Sequence, residues 1–362
     1  MKKFLIVNPF GIGDVLFTTP VIKAIKESEP DSFIGYWCNE RVRDVLKDNP
    51  GISTVFALSR GDLKKIYRKS MWEGLKKSID LKKRIKQEKF DILLDFSLDP
   101  RYSLIAKRAG IRRRIGFNYK NRGRFLTDKI DLDSYSSKHV VDYYLDLLRL
   151  IGVKAPLNPG LEIFVPQGAK TRVKGILLGH GINPGDLIIG IAPGAGASWG
   201  VDAYLKHWPA IKFGQLADKI IEDLKAKAVI LGDEPEKPVI EKVINGMRNK
   251  PLNLAGKLTL EELIAVINEL NILVTNDGGP LHIAVALGKK TVSFFGPVDP
   301  KVYGPYPFDE RRQAVLKKDL QCSPCYINFR LSDCKRKKEC LETIDVSTAL
   351  DAVTKLLKME TD

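Results

Sequence analysis

No stretch of the chain approaches the roughly eighteen uncharged apolar residues that a spanning helix needs, which excludes a helical integral membrane protein. The apolar run that opens the chain, Phe4-Leu-Ile-Val7 after Met1-Lys2-Lys3, is too short for a leader. It passes into Asn8-Pro9-Phe10-Gly11 without a small-residue cleavage site and reads as a first buried strand. Cysteine is scarce: of five, Cys38 stands alone and Cys322, Cys325, Cys334 and Cys340 cluster late in the chain. Nothing directs export, so a reducing, cytoplasmic setting is expected. Acidic residues are missing from 101–124, where nine Lys/Arg stand unopposed, and sparse in 61–90, where eleven Lys/Arg face four acids. These two segments together exceed the net charge of +15, so the remainder is close to balanced. Two such segments in one half imply an anionic partner, and nucleic acid, anionic lipid and phosphorylated sugar all fit.

What is present points to a globular α/β enzyme. The 362 residues are 44% hydrophobic and 28% charged, more chain than one core usually serves. Strand-like runs at Phe4–Val7, Phe33–Trp37 and Phe90–Phe96 alternate with helical patterns over 20–27 and 140–150. One long basic helix is expected through Leu63, Tyr67, Met71, Leu75 and Ile79, whose spacing of four makes a single apolar stripe, expected to pack on the core, with a membrane surface as the alternative. Residues 152–167 carry Pro156, Pro159 and Pro166 without helical periodicity and read as the linker. A second series follows, with strands at 187–192, 228–232, 272–275 and 291–295 and helices at 213–224, 260–270 and 281–287. Continuous apolar strands separated by helices predict two Rossmann-like parallel-sheet domains, 1–155 and 156–345, with a C-terminal helix in 346–362. Ligands of such sheets bind at the carboxyl ends of the strands, which are expected to face a central cleft.

The candidate chemistry follows those strand ends. Gly11-Ile-Gly-Asp14-Val-Leu16 resembles a dinucleotide fingerprint, but Leu16 stands at the third glycine position and Asp14 would repel a pyrophosphate. Asp14 is instead either an ionised general base at a helix start or the cap of that helix. In the second half, Pro193-Gly194-Ala-Gly-Ala-Ser198 is a small-residue loop suited to anions, and Lys206-His-Trp-Pro209 precedes a helix. Asn276-Asp277-Gly278-Gly279-Pro280-Leu-His282 combines a strand end, a glycine turn and a proline suited to the first helical turn. The N–H groups of that turn make a seat for a diphosphate. Asp277 is a candidate acceptor for sugar hydroxyls, His282 lies at the mouth of the same site, and Glu234 is a candidate for a pair of ribose hydroxyls.

The ordered set of motifs resembles a known family. Asn276-Asp-Gly-Gly-Pro-Leu-His-Ile-Ala-Val-Ala-Leu-Gly288 with Thr291-Val-Ser-Phe-Phe-Gly-Pro297 is similar to the family 9 glycosyltransferases, the ADP-heptose:lipopolysaccharide heptosyltransferases of GT-B architecture. Gly11–Leu16, Pro193-Gly194 with Lys206–Pro209, and Leu254-Ala-Gly256 before Leu260-Glu-Glu-Leu263 fit the same family, in order along nearly the whole chain. The resemblance implies that Asp14 is the base on the acceptor hydroxyl, and that Gly194, Lys206, Glu234, Asp277, Gly278, Gly279 and His282 hold the donor. It implies an inverting displacement on an ADP-sugar in which Lys206 and the helix start near Gly279 take the place of a metal. The acceptor would be an anionic lipid-linked inner-core saccharide, engaged by Arg112, Arg113, Arg114, Arg122 and Arg124 at the cytoplasmic face of an inner membrane. Three departures stand out: a long stretch from Pro193 to Lys206, Gly278 where Thr or Ser is usual, and Ser198 and Trp199 without counterparts.

Two further patterns are weighed. Asp131-Leu-Asp133 imitates a metal-binding Asp-x-Asp but is expected in a connecting segment, and no cofactor is expected for catalysis. Cys322, Cys325, Cys334 and Cys340 have a spacing that admits a structural zinc or packed thiols. The rival readings are a GT-B-shaped sugar-nucleotide epimerase, which needs no basic front half, and a basic nucleic-acid-binding protein. The latter lacks aromatics interleaved among its arginines and leaves residues 276–297 unexplained.

Overall fold

The structure, a computed structural model, describes residues 1–157, 159–195 and 197–359, with all side chains in these ranges except those of Ala197 and Ser198. The chain divides into two compact units, Met1–Phe164 and Val165–Asp362. The first contains β1 (Lys3–Val7), α1 (Ile12–Leu16), α2 (Thr19–Ser28), β2 (Phe33–Cys38), β3 (Thr54–Ala57) and α3 (Arg60–Lys69). It continues with α4 (Met71–Glu88), β4 (Ile92–Asp95), α5 (Pro100–Arg108), β5 (Arg113–Tyr119), β6 (Asp128–Leu132) and α6 (Val140–Arg149). Its six strands are all parallel, in the order β3-β2-β1-β4-β5-β6. Central β1 and β4 are buried along almost their whole length, as strands covered by helices on both faces must be. Helix α2 turns Val21, Ile22, Ala24 and Ile25 into the core.

The second unit contains α7 (Gln167–Gly179), β7 (Ile188–Ala192), α8 (Ala210–Leu224), β8 (Lys227–Ile230), α9 (Lys237–Asn245) and β9 (Leu252–Asn253). Then come α10 (Leu260–Glu269), β10 (Ile272–Asn276), α11 (Gly279–Ala286), β11 (Lys290–Phe294), β12 (Gln313–Leu316) and a C-terminal helix, Val346–Lys358. Its sheet, again wholly parallel, runs β12-β11-β10-β7-β8-β9. Counted in chain order, both sheets therefore follow the pattern 3-2-1-4-5-6. That order reverses between β1 and β4 in one unit and between β7 and β10 in the other. Connections leave the sheet on opposite faces at these two points, opening a crevice at the carboxyl ends of the strands.

Aromatic packing anchors the second core. Trp208 stacks on Phe294 with ring centroids 4.2 Å apart, and Phe213 meets Trp208 edge-on at 5.0 Å. The C-terminal helix adds Ala349, Val353 and Leu356 to the same cluster.

Several expectations change. The basic stretch is two helices rather than one: Ser70 leaves helical geometry and its hydroxyl accepts the Glu73 N–H to start α4. The apolar stripe does not face the core, since Tyr67, Met71, Leu75 and Ile79 are all exposed. Asp131 belongs to the edge strand β6, bonded to Asn118 Nδ2 at 2.7 Å, rather than to a connecting segment. The units part at Phe164/Val165 instead of 155/156. The proline-rich segment stays with the first unit because the Glu162 N–H donates to Thr19 Oγ1 and its carboxylate pairs with Lys23.

Candidate active site

In the first unit the β1–α1 turn is built around two buried asparagines. Asn8 Oδ1 accepts the Phe10 N–H at 3.2 Å, and its amide donates to the Asp14 carbonyl at 2.9 Å. Asn39, from the end of β2, donates to the Pro9 and Phe10 carbonyls. Asp14 is half-buried in the first turn of α1, where its Oδ2 accepts the Gly11 N–H at 3.1 Å. Capping and catalysis are thus not exclusive here: the bond that caps the helix also fixes the carboxylate.

Two tyrosines lie near Asp14. Burial raises the Tyr36 and Tyr135 hydroxyls well above their ordinary value, and the Asp14 charge adds to both effects. His139 begins α6, accepting the Val141 N–H on Nδ1 and packing edge-on against Phe17 at 5.0 Å. Across the switch point, Asp95 ends β4 opposite Val7 of β1. It is buried among its neighbours, and that burial pushes its carboxyl up to about 7 despite bonds from the Ser97 N–H and hydroxyl to Oδ1.

The five candidate arginines are not gathered at this edge. Arg112, Arg113 and Arg114 lie at the start of β5, the opposite edge of the sheet from Asp14. Arg113 pairs with Asp128, and Arg114 donates to the carbonyls of Ile111, Arg112 and Phe125. Arg122 and Arg124 are exposed in the loop after β5, set over the rings of Tyr119 and Phe125.

In the second unit Lys206, Asp277 and His282, three of the expected donor residues, lie together. Asn276 ends β10, and its Oδ1 accepts the Trp208 N–H at 2.9 Å while its amide donates to the Pro193 carbonyl at 2.7 Å. One asparagine therefore ties the loops after β7 and β10 together across the switch point. Lys206 Nζ lies 2.6 Å from Asp277 Oδ2, with side-chain exposures of only 11% and 7%. His282 Nε2 lies 4.0 Å from Asp277 Oδ1. Gly278 immediately precedes α11 in extended geometry, and Gly279 and Pro280 open the helix. The first-turn N–H groups of α11 have no acceptors within the helix and project beside the Lys206–Asp277 pair.

Other residues at this edge were not read from sequence. Trp199 carries the Lys206 ammonium over its ring at 4.3 Å and packs against Tyr326 at 5.0 Å. His207, half-buried beside Lys206 and Lys338, is held below its ordinary value chiefly by burial, with the two ammonium groups adding to the effect. Glu236 is pressed against Gly194, where a Cβ would fall 2.1 Å from its carboxyl carbon. Burial raises that carboxyl to about 7. Glu234 is exposed, pairs with Lys237 at 2.7 Å and lies against the backbone of Gly256, whose φ of +68° favours glycine. Gly196 and the side chain of Ser198, parts of the expected anion loop, lie outside the described residues.

The four zinc candidates lie near one another: burial raises the Cys325 thiol and raises the Cys340 thiol to about 11, and the neighbouring cysteines of the set add to both effects. Cys322, Cys325, Cys334 and Cys340 are free thiols, with Cys322 and Cys334 exposed. Among the described residues no group of three or more His, Cys, Asp or Glu side chains is placed to hold a metal ion. Nor, among those residues, is any helix long and apolar enough to cross a membrane.

Two parallel sheets of the same order, the second with a buried lysine–carboxylate pair at a helix start, define a two-domain α/β protein. Solved structures share this architecture. A family 9 glycosyl transferase from Veillonella parvula is 25% identical, with 99% of this chain and 98% of that one covered at a TM-score of 0.82. The Escherichia coli ADP-heptose LPS heptosyltransferase II has the same fold, at 20% identity with both chains fully covered and a TM-score of 0.77. Lipopolysaccharide heptosyltransferase 3 of Escherichia coli is 25% identical over 300 residues, 81% of this chain and 83% of that protein. Residues 78–334 match the sequence model of glycosyltransferase family 9 (heptosyltransferase). The chain belongs to this family and is a glycosyltransferase.

Proposed function

We propose that the chain transfers a heptose from ADP-heptose to an anionic, lipid-linked inner-core saccharide by one in-line displacement with inversion. The reading rests on Lys206, Asp277 and His282 converging beside the start of α11. A nucleotide diphosphate placed there meets the ammonium of Lys206 and the N–H groups of the first helical turn. As the bond to the anomeric carbon breaks, charge grows on the departing diphosphate, and those donors stabilise it without a metal. Asp277 and His282 receive the donor sugar in this reading, and Glu234, exposed beside Gly256, accepts the ribose hydroxyls. Asp14, held by the Gly11 N–H, takes the proton of the attacking acceptor hydroxyl. Arg122 and Arg124 are the best placed of the five arginines for acceptor phosphates, since both are exposed in the loop that follows the carboxyl end of β5. The acceptor is presented by the cytoplasmic face of an inner membrane.

A thermal-shift screen with ADP-, UDP-, GDP- and CDP-sugars tests the donor, and the ADP-sugar should stabilise most. Asp14→Ala should keep that shift while losing transfer by ~10²–10⁴-fold. Chelator-treated enzyme should transfer at the untreated rate. Transfer at full rate by Asp14→Ala refutes the base, and a rate lost with chelator and restored by a divalent ion refutes metal independence.

A further inference from the structure

Helices α3 and α4 form a hairpin that closes on itself rather than on the core. Helix α3 has no buried residue. The Tyr67 ring covers Gly74, where a Cβ would fall 2.5 Å from the ring, and the Tyr67 and Ser78 hydroxyls bond at 3.0 Å. Only the second half of α4 reaches the core, through Leu81 and Ile85. At 3.6 residues per turn, Trp72, Leu75 and Ile79 fall on the opposite side of α4 from those two anchors. Trp72 is 82% exposed, Met71 75%, Ile79 52% and Leu75 44%. Trp72, Leu75 and Ile79 border a shallow apolar surface depression with Lys76 and Asp80. Further along α4 the same side carries Lys82, Lys83 and Lys86, all exposed.

An exposed tryptophan, methionine, leucine and isoleucine grouped on one helix side mark a contact surface, not scattered surface residues. The charge around them selects the occupant. Residues 61–90 hold eleven Lys/Arg against four acids, so two copies of this surface would repel each other. An anionic lipid surface complements both features: apolar side chains enter the boundary between headgroups and acyl chains, and ammonium groups meet lipid phosphates. Tryptophan suits this boundary through its apolar ring and polar N–H.

We propose that the outer side of α4 docks on an anionic lipid bilayer, with Trp72, Leu75 and Ile79 inserted and Lys76, Lys82, Lys83 and Lys86 on the lipid phosphates. This specifies the membrane contact that the proposed lipid-linked acceptor requires, but the surface stands on its own observations. The test is flotation of the full chain with phosphatidylcholine vesicles, with and without phosphatidylglycerol. The wild type should float only with the anionic vesicles. Trp72→Glu/Leu75→Glu and Lys82→Gln/Lys83→Gln/Lys86→Gln should each weaken that binding by roughly tenfold or more. Trp72 fluorescence should shift to the blue on anionic vesicles, and the shift should vanish in Trp72→Phe.

All these residues are exposed, so the variants should keep the melting temperature and the ADP-sugar shift. Equal flotation with neutral vesicles, no flotation at all, or wild-type flotation of Trp72→Glu/Leu75→Glu overturns the proposal. So does a dimer in solution that this double variant dissolves. Vesicle binding without any nucleotide-sugar shift would instead overturn the transferase reading and leave the docking surface standing.

Discussion

Lys206 and Asp277 are close enough and buried enough for their mutual dependence to be measured. At an effective dielectric of ~20, Coulomb's law gives ~6 kcal/mol for unit charges at their separation of 2.6 Å. Much of that offsets the cost of removing both groups from water. What survives is the asymmetry between losing one partner and losing both. Lys206→Met leaves Asp277 buried without its cation, which should cost ~3–5 kcal/mol, whereas Lys206→Met/Asp277→Asn should recover most of the loss. Denaturant titrations of the wild type, both single variants and the double variant give the coupling energy directly. Donor binding should follow a different pattern. Every variant lacking Lys206 should lose the ADP-sugar thermal shift, including the double variant whose stability is restored. If the single losses simply add in the double variant, the pair is not coupled and the buried ion pair is misassigned. If Lys206→Met retains the full ADP-sugar shift, Lys206 does not hold the diphosphate.

Two further outcomes come from buried carboxyls. Asp95, raised to about 7 from the unfolded 3.8, binds its proton more tightly when folded, so its stabilising effect is full below about pH 4 and is lost as pH rises towards 7. Asp95→Asn keeps the Oδ1 acceptor for Ser97, so it should be more stable than wild type at pH 8, by ~2–4 kcal/mol at most, and should show a flatter pH–stability curve. An unchanged curve would mean that Asp95 titrates normally. Gly194→Ala puts a methyl group against the Glu236 carboxyl, so it should cost ~1–3 kcal/mol in denaturant titrations and weaken the ADP-sugar shift. A fully stable Gly194→Ala would show that Glu236 moves aside without loss.

Central strands such as Phe4–Val7 and Ile272–Thr275 were legible because burial on both faces requires continuous apolar runs. Edge and near-edge strands carry no such constraint. Thr54–Ala57, Arg113–Tyr119, Asp128–Leu132 and Gln313–Leu316 mix polar with apolar residues and passed for connections. The proposed donor residues stood together in the sequence because one turn and one following helix supply Asp277, Gly278, Gly279 and His282 in local order. Asp95, Tyr135, His139, Trp199 and Glu236 were not legible there, because their surroundings arise only when distant segments pack. Three apolar residues followed by aspartate, Ile92-Leu-Leu-Asp95, were the one local sign available for a carboxylate at a strand tip. The α4 stripe shows the reverse error. Helical periodicity reports that one side is apolar, but not whether protein covers it.

Because Gly74 lets the Tyr67 ring seal the α3–α4 hairpin from within, the sequence requirements of its two sides are separate. Leu81 and Ile85 answer to the fold, while positions 72, 75, 79, 82, 83 and 86 answer only to whatever lies outside. The hairpin therefore acts as a replaceable sole on the first unit, whose grip can be retuned by surface substitution while the sheet above it stays as it is.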